Sequence, residues 1–144
     1  MDAAILLARE SAASNIQTFA YISAAAGAPI LPRRYITTKR TAESTISSAF
    51  PTLRSLFFRP GMLYDSSRSV TLGLAAVTGA GALANSLVGG RLTWLMGADG
   101  TKPLKADVVA EAVVEGIGEE TIQGIVEVPG IEELATKAWR RGML

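Results

Sequence analysis

Short apolar segments alternate along this chain with stretches of helical periodicity. Three segments are predicted to be strands, and the first of them, with mostly apolar residues, is expected to be buried: 17–23, 53–59 and 122–128. Four segments are predicted to be helices: 2–13, 33–50, 106–116 and 131–141. Pro51 is expected to end the second helix, and Pro129-Gly130 to close the third strand. The mostly apolar character of the first strand is typical of a strand in a parallel sheet.

The predicted helices have distinct apolar and polar sides. The positions expected to face the core are Ala42, Ile46 and Ala49 in the second helix and Val109, Ala112 and Val113 in the third. Glu111 and Glu115, four residues apart, are expected to face solvent. In the last helix, acidic residues in the first turn and basic residues in the last turn suit the helix dipole.

Residues 69–90 carry no charge. The stretch is long enough to span a membrane, but its glycines and hydroxyl residues favour a helix that packs on a partner or lies at a membrane surface. It contains Gly79-x-Gly81-x-x-Ala84, which imitates a dinucleotide-binding fingerprint. That reading is rejected because no clear βαβ unit surrounds the glycines, and such a fingerprint opens its fold.

The amino-acid composition limits the kinds of catalytic and binding site that the chain can form. With 144 residues, 49% of them apolar, the chain is expected to be a single domain at 1–144 with a real core. A net charge of +1 gives no reason to expect a nucleic acid partner. The absence of cysteine and histidine excludes disulfides, thiolate metal sites and Ser-His-Asp triads, so no metal is expected. Proton transfer would have to come from carboxylates, lysine or tyrosine.

The most informative stretch begins at Ser23, which follows the first predicted strand. Tyr35 and Lys39 lie four residues apart in the next predicted helix and therefore share one face. An ammonium beside a phenol favours the phenolate and would lower the pKa of the tyrosine. Such a tyrosine can transfer a proton to or from a carbonyl or alcohol, and the Ser23 hydroxyl could bind the same oxygen. The alternative is that these residues have no catalytic role: Tyr35 packs at the start of a helix, and Lys39 is an ordinary surface lysine.

Four pieces occur in an order that is more specific than any one of them: Y-I-S-A at 21–24, P-R-R-Y-I-T-T-K-R-T-A-E at 32–43, F-R-P-G-M-L-Y-D at 58–65 and V-E-V-P-G-I-E-E-L-A at 126–135. This order resembles the second half of an atypical or extended short-chain dehydrogenase/reductase (SDR). In particular it resembles a fungal mitochondrial SDR group associated with coenzyme Q biosynthesis, which is similar to the SDR-like accessory subunit of respiratory complex I.

The resemblance implies a partial Rossmann-like α/β fold, with three parallel strands and flanking helices, whose N-terminal dinucleotide-binding half is missing. It implies catalytic roles for Ser23, Tyr35 and Lys39. It also implies contacts to NAD or NADP from Tyr35 and Lys39 and from the turn after the second strand, formed by Arg59, Pro60 and Gly61. Since the phosphate-binding turn is not found, this chain alone is not expected to bind the cofactor.

The function expected from the resemblance is a non-catalytic, SDR-like component of a mitochondrial assembly for ubiquinone biosynthesis. The N-terminus lacks the form of a targeting segment, so the mitochondrial location rests on the resemblance alone. A protein partner, a homo-oligomer or a membrane surface is expected to cover the open side of the sheet. The alternatives are a working NAD(P)-dependent oxidoreductase, if the missing half is supplied, and a membrane-associated structural subunit.

Overall fold

The computed structural model describes residues 2–25, 32–64 and 103–141, together with residue 80. In chain order the elements are α1 (Asp2–Ala13), β1 (Thr18–Ile22), α2 (Arg33–Ala49), β2 (Arg54–Phe58), β3 (Leu63–Tyr64), β4 (Leu104–Lys105), α3 (Ala106–Gly118), β5 (Gly124–Val126) and α4 (Val128–Arg141). The predicted alternation of helices and strands is therefore confirmed. The third main strand is shorter than expected, because only three of its residues pair with the sheet.

The sheet that organises the fold has the strand order β1-β2-β5, and both of its pairings are parallel. Tyr21 is level with Phe57, which is level with Ile125, so these three side chains point to one face. Leu56 and Phe58 point to the other face. The central strand is buried on both faces. Strand β1, which was expected to be buried, is only half-buried, because it lies at the edge of the sheet. The α/β class and the parallel three-stranded sheet are thus confirmed.

Each face of the sheet is covered by a different pair of helices. On the Phe57 side, α1 and α2 contribute to a cluster of buried residues comprising Ala8, Ile46, Leu53 and Phe57. On the Phe58 side, α3 and α4 pack against each other and against the sheet. The buried residues there include Leu56, Phe58, Val109, Ala112, Ile131 and Leu134. The sheet therefore separates two cores, as in other layered α/β domains.

Four details of the predicted helix faces and ends are wrong. Helix α4 begins at Val128 and not at residue 131, so Glu132 and Glu133 lie beyond its first turn. Ala49 is exposed, because it lies in the last turn of α2, beyond the part of the helix that covers the sheet. Glu115 is buried, because it lies beside Ala112 and Gly116 on the packed side of α3. Pro129-Gly130 does not close β5 but belongs to the first turn of α4, where proline is favoured because no intrahelical partner is needed for its missing N–H.

Gly116 and Gly118 form a matched pair for testing how tightly α3 packs. A Cβ at position 116 would lie 3.0 Å from Cζ of the fully buried Phe58, whereas a Cβ at position 118 would meet nothing within 4 Å. We expect Gly116→Ala to destabilise the fold by roughly 1–3 kcal/mol. Gly118→Ala should be neutral or stabilise it by up to about 1 kcal/mol through helix propensity. Urea unfolding measures both, and equal effects would contradict this packing.

A second, two-stranded parallel sheet joins β3 to β4, with Leu63 level with Leu104. The sequence did not predict it. The uncharged stretch 69–90, with its Gly79-x-Gly81 motif, lies outside the described residues apart from residue 80. Among the helices that the structure describes, none combines the length and apolar character needed to cross a membrane.

Candidate functional site

Polar side chains meet where the parallel strands end. Ser23 follows β1, Arg59 follows β2 and Glu127 follows β5. Backbone hydrogen bonds hold these ends together, since the Ser23 amide donates to the Phe58 carbonyl at 2.7 Å and the Arg59 amide donates to the Val126 carbonyl at 2.9 Å. The carboxyl ends of parallel strands are where open α/β sheets bind their ligands. This edge is therefore the candidate site.

A buried carboxylate, Glu43 of α2, forms the centre of this edge. It accepts a hydrogen bond from the Ser23 hydroxyl and one from the Arg40 guanidinium at 2.7 Å. Arg59 donates to both of its oxygens, Nε to Oε1 at 3.2 Å and a terminal nitrogen to Oε2. Glu43 thus joins α2 to the ends of two strands. We refer to Ser23, Arg40, Glu43, Arg59 and Glu127 as the carboxyl-edge cluster.

Arg59 extends the carboxyl-edge cluster to the third strand, because its other terminal nitrogen lies 2.8 Å from the carboxylate of Glu127. Its hydrogen bond to Glu43 raises the pKa of the guanidinium and outweighs burial, which lowers it; the bond to Glu127 adds to the rise. Arg59 therefore remains charged. Arg40 also donates to the Ala24 carbonyl at 2.8 Å, which holds the segment after β1 against α2.

The pKa of Glu43 reflects two opposed effects. Burial is the largest influence and by itself would raise the pKa. Hydrogen bonds from Arg59 and Ser23, together with the charges of Arg40 and Arg59, outweigh burial and bring the pKa below the ordinary value of 4.5. Glu43 is therefore ionised at neutral pH, and its charge is compensated locally.

This shift makes the stability that Glu43 supplies depend on pH. A carboxyl whose pKa is lower in the folded chain than in the unfolded chain stabilises the fold above its unfolded-state pKa, and this contribution is lost as the pH falls through the folded-state pKa. We expect the stability difference between wild type and Glu43→Gln to be largest at neutral pH and to shrink below pH 4.5. Urea unfolding across this range measures it, and a difference that stays constant would contradict the prediction.

Tyr35 and Lys39 lie four residues apart on α2, as predicted. Tyr35 is in the first turn and its side chain is 43% exposed. The Lys39 ammonium lies 5.8 Å from the centre of the Tyr35 ring, 4.6 Å from the centre of the Tyr21 ring and 2.8 Å from the Ile22 carbonyl oxygen. The structure thus brings Lys39 close to Tyr35, and also close to a second tyrosine, on β1, which was not singled out from the sequence.

Ser23 lies at the predicted position after β1 and is buried, with 4% of its surface exposed. Its hydroxyl donates to Glu43 and accepts from Arg40 at 3.3 Å. Among the described residues, no hydrogen bond joins it to Tyr35. A hydroxyl has one proton to donate, so Ser23 would have to leave Glu43 before it could donate to a substrate carbonyl. The catalytic roles inferred for Ser23, Tyr35 and Lys39 stay predictions.

The turn expected to contact a cofactor, formed by Arg59, Pro60 and Gly61, lies at the same edge of the sheet and is held there by a backbone hydrogen bond. The Pro60 carbonyl accepts from the Ala25 amide at 2.8 Å, so the segments after β1 and β2 run side by side. The Arg59 side chain forms ion pairs with Glu43 and Glu127, while Gly61 is half-buried in the bend that follows. In the described ranges no three histidine, cysteine or acidic side chains are grouped as a metal site requires. Cofactor contacts from Arg59, Pro60 and Gly61 stay predictions.

Glu43 was not predicted from the sequence as a site residue. It lies three residues after Arg40 and three before Ile46, which places it on the side of α2 that faces the sheet. An acidic residue at an inward position of an amphipathic helix needs a cation to meet it, and Arg59 follows the next strand. The inward position of Glu43 on α2, followed by an arginine after the next strand, was the sequence signal that could have indicated this ion pair.

The described parts of the chain form an α/β protein whose parallel sheet ends in a buried, charge-compensated polar cluster. No protein-family model matches the chain. The chain is similar to MIOREX complex component 2 of Saccharomyces cerevisiae, with 36% identity over 61 residues. This match covers 42% of the present chain and 22% of that protein, so it spans about a fifth of the relative's length.

Proposed function

We propose that this chain is an SDR-like, non-catalytic component of a mitochondrial protein assembly, and that the assembly serves ubiquinone biosynthesis. The observation that carries the non-catalytic part is the hydrogen bond from Ser23 to Glu43. The serine that would polarise a carbonyl instead donates its proton to a buried carboxylate. That carboxylate is held by two guanidinium groups, so the arrangement stabilises the fold at the position where the resemblance implies that an SDR enzyme binds its substrate.

The mitochondrial location expected from the sequence is supported by the similarity to MIOREX complex component 2, since this relative is a mitochondrial protein. That protein is also named as a component of a complex, which supports a partner for the present chain. Exposed apolar side chains on α1, Leu6 at 49% and Leu7 at 61%, provide surface that a partner could bury. The ubiquinone part of the proposal rests on the order of sequence pieces from Tyr21 to Ala135.

Disruption of the encoding gene, followed by measurement of mitochondrial ubiquinone, tests the function. We expect ubiquinone content to fall and the wild-type gene to restore it. The Tyr35→Phe gene should restore it equally, because a non-catalytic component does not need the phenolic proton. Glu43→Ala should fail, because it removes the centre of the carboxyl-edge cluster. Unchanged ubiquinone content after disruption would contradict the proposed process.

A working oxidoreductase is the second candidate, and the observation that favours it is the shared face of Tyr35 and Lys39. This candidate requires the dinucleotide-binding half that the resemblance implies is missing. With that half supplied, NAD or NADP would exchange the hydride, and Tyr35, assisted by Lys39, would transfer the proton. The Tyr35→Phe gene would then fail to restore ubiquinone although the protein accumulates normally. Calorimetric titration of the purified chain with NADH and NADPH separates the candidates further. The leading proposal expects no micromolar binding by the chain alone, and micromolar binding would contradict it and favour the oxidoreductase.

A further inference from the structure

The ammonium of Lys39 is held by groups of β1 rather than by Tyr35 alone. Its nitrogen donates to the Ile22 carbonyl at 2.8 Å and lies over the Tyr21 ring, 4.6 Å from the ring centre. The Tyr35 ring is farther away, at 5.8 Å. A cation within about 6 Å of a ring centre is attracted to the face of the ring, and the attraction falls as the distance grows. Tyr21 is therefore the nearer of the two aromatic partners.

Tyr21 is well placed to fix that ammonium because its own position is fixed. It lies in β1, level with the buried Phe57 of β2, and packs against the cluster formed by Ala8, Ile46, Leu53 and Phe57. Tyr35, in contrast, is 43% exposed in the first turn of α2. A ring anchored in a strand restrains a flexible lysine more firmly than a ring at the end of a helix. The hydrogen bond to the Ile22 carbonyl orients the ammonium.

We infer that Tyr21 is a positioning residue for Lys39: its ring, with the Ile22 carbonyl, sets where the ammonium stands beside Tyr35. This inference deepens the second candidate function, on which any catalytic meaning of Lys39 rests. The contact between the Tyr21 ring and the Lys39 ammonium does not depend on that function. Tyr21 acts on Lys39 through the face of its ring and not through its hydroxyl.

The test is the rate at which Lys39 is acetylated by sulfo-N-hydroxysuccinimide acetate, followed by peptide mass spectrometry on the whole folded chain. Lys105, which is exposed, is the internal reference in the same molecule. Tyr21→Met keeps an apolar side chain but removes the ring, and we expect it to raise the Lys39 rate relative to Lys105 by about two- to five-fold. Tyr21→Phe keeps the ring and should leave the ratio near that of wild type.

Tyr35→Leu is the matched variant for the other ring, and its effect should be smaller because that ring is farther from the ammonium. The inference is overturned if Tyr21→Met leaves the ratio unchanged, or if Tyr21→Phe raises it as much as Tyr21→Met. It is also overturned if Tyr35→Leu has the larger effect. Should Tyr21→Met not fold, as judged by circular dichroism, Tyr21→Leu takes its place. Because acetylation needs no cofactor, this outcome is independent of the ubiquinone and NADH experiments.

Discussion

Replacement of Glu43 by alanine is expected to lower the free energy of unfolding by roughly 3–5 kcal/mol, because it removes one partner of a buried ion pair. The Glu43 side chain is 6% exposed and that of Arg59 is 15% exposed, so water cannot easily solvate the guanidinium left behind. Arg40 would lose the same carboxylate. The positively charged guanidinium groups of Arg40 and Arg59 would then face each other without the carboxylate that both of them bind. Urea unfolding at neutral pH measures the loss.

Glu10→Ala is the control for this prediction. Glu10 pairs with Arg9 at 3.0 Å, but both side chains are about three-fifths exposed, at 60% and 63%. Exposed pairs contribute about 0–1 kcal/mol, so this variant should be close to wild type. Glu43→Gln should fall between the two, because it keeps the volume and an acceptor oxygen but loses the charge. A loss from Glu43→Ala no larger than that from Glu10→Ala would show that the carboxyl-edge cluster does not stabilise the fold.

Arg54→Met is expected to cost roughly 2–4 kcal/mol, because the Arg54 guanidinium binds the carbonyl oxygens at the end of α3. It donates to the carbonyls of Glu119 and Ile122, each at 2.9 Å, and to those of Gly116 and Ile117. The last carbonyls of a helix have no partner within the helix, and a cation there also suits the helix dipole. Arg54 therefore fastens α3 to the start of β2.

Two variants sharpen the Arg54 prediction. Arg54→Lys keeps the charge but replaces the planar fork by a point charge, so it should restore only part of the stability. Arg34→Met, at an exposed position in the first turn of α2, should change stability by no more than about 0.5 kcal/mol. Hydrogen exchange provides a local measurement, because Arg54→Met should speed exchange most in the last turn of α3. Uniform acceleration over the whole chain would contradict a local clamp.

The regular elements were predictable because their signals are local. Helix α1 has the predicted bounds, and β1 and β2 differ from their predictions by a residue at each end. The apolar run from Leu53 to Phe58 indicated the second strand, and Pro51 marked the end of α2. These predictions required only neighbouring residues and the two structural periods. The parallel arrangement of the strands was expected from the resemblance to the SDR family.

The centre of the candidate site was not predictable in the same way. The motif of Ser23, Tyr35 and Lys39 drew attention to the edge of the sheet that contains the carboxyl-edge cluster. The burial of Glu43, however, depends on Arg59, which lies 16 positions later and on another element. The packing of α2 against β2 brings them together. Likewise, Glu115 has the spacing of a surface residue, and its burial follows from the way α4 packs on α3. Partner elements decide such positions.

The parallel pairing of the strands also determines the order in which this sheet can assemble. Thr18 and Arg54, at the start of the β1–β2 pairing, are 36 positions apart, whereas Arg59 and Glu127, which join β2 to the end of β5, are 68 positions apart. Each doubling of a closed loop adds about 0.6 kcal/mol of entropic cost. We therefore expect β2 to meet β1 before β5 arrives, and the joining of β5 to limit the rate of refolding.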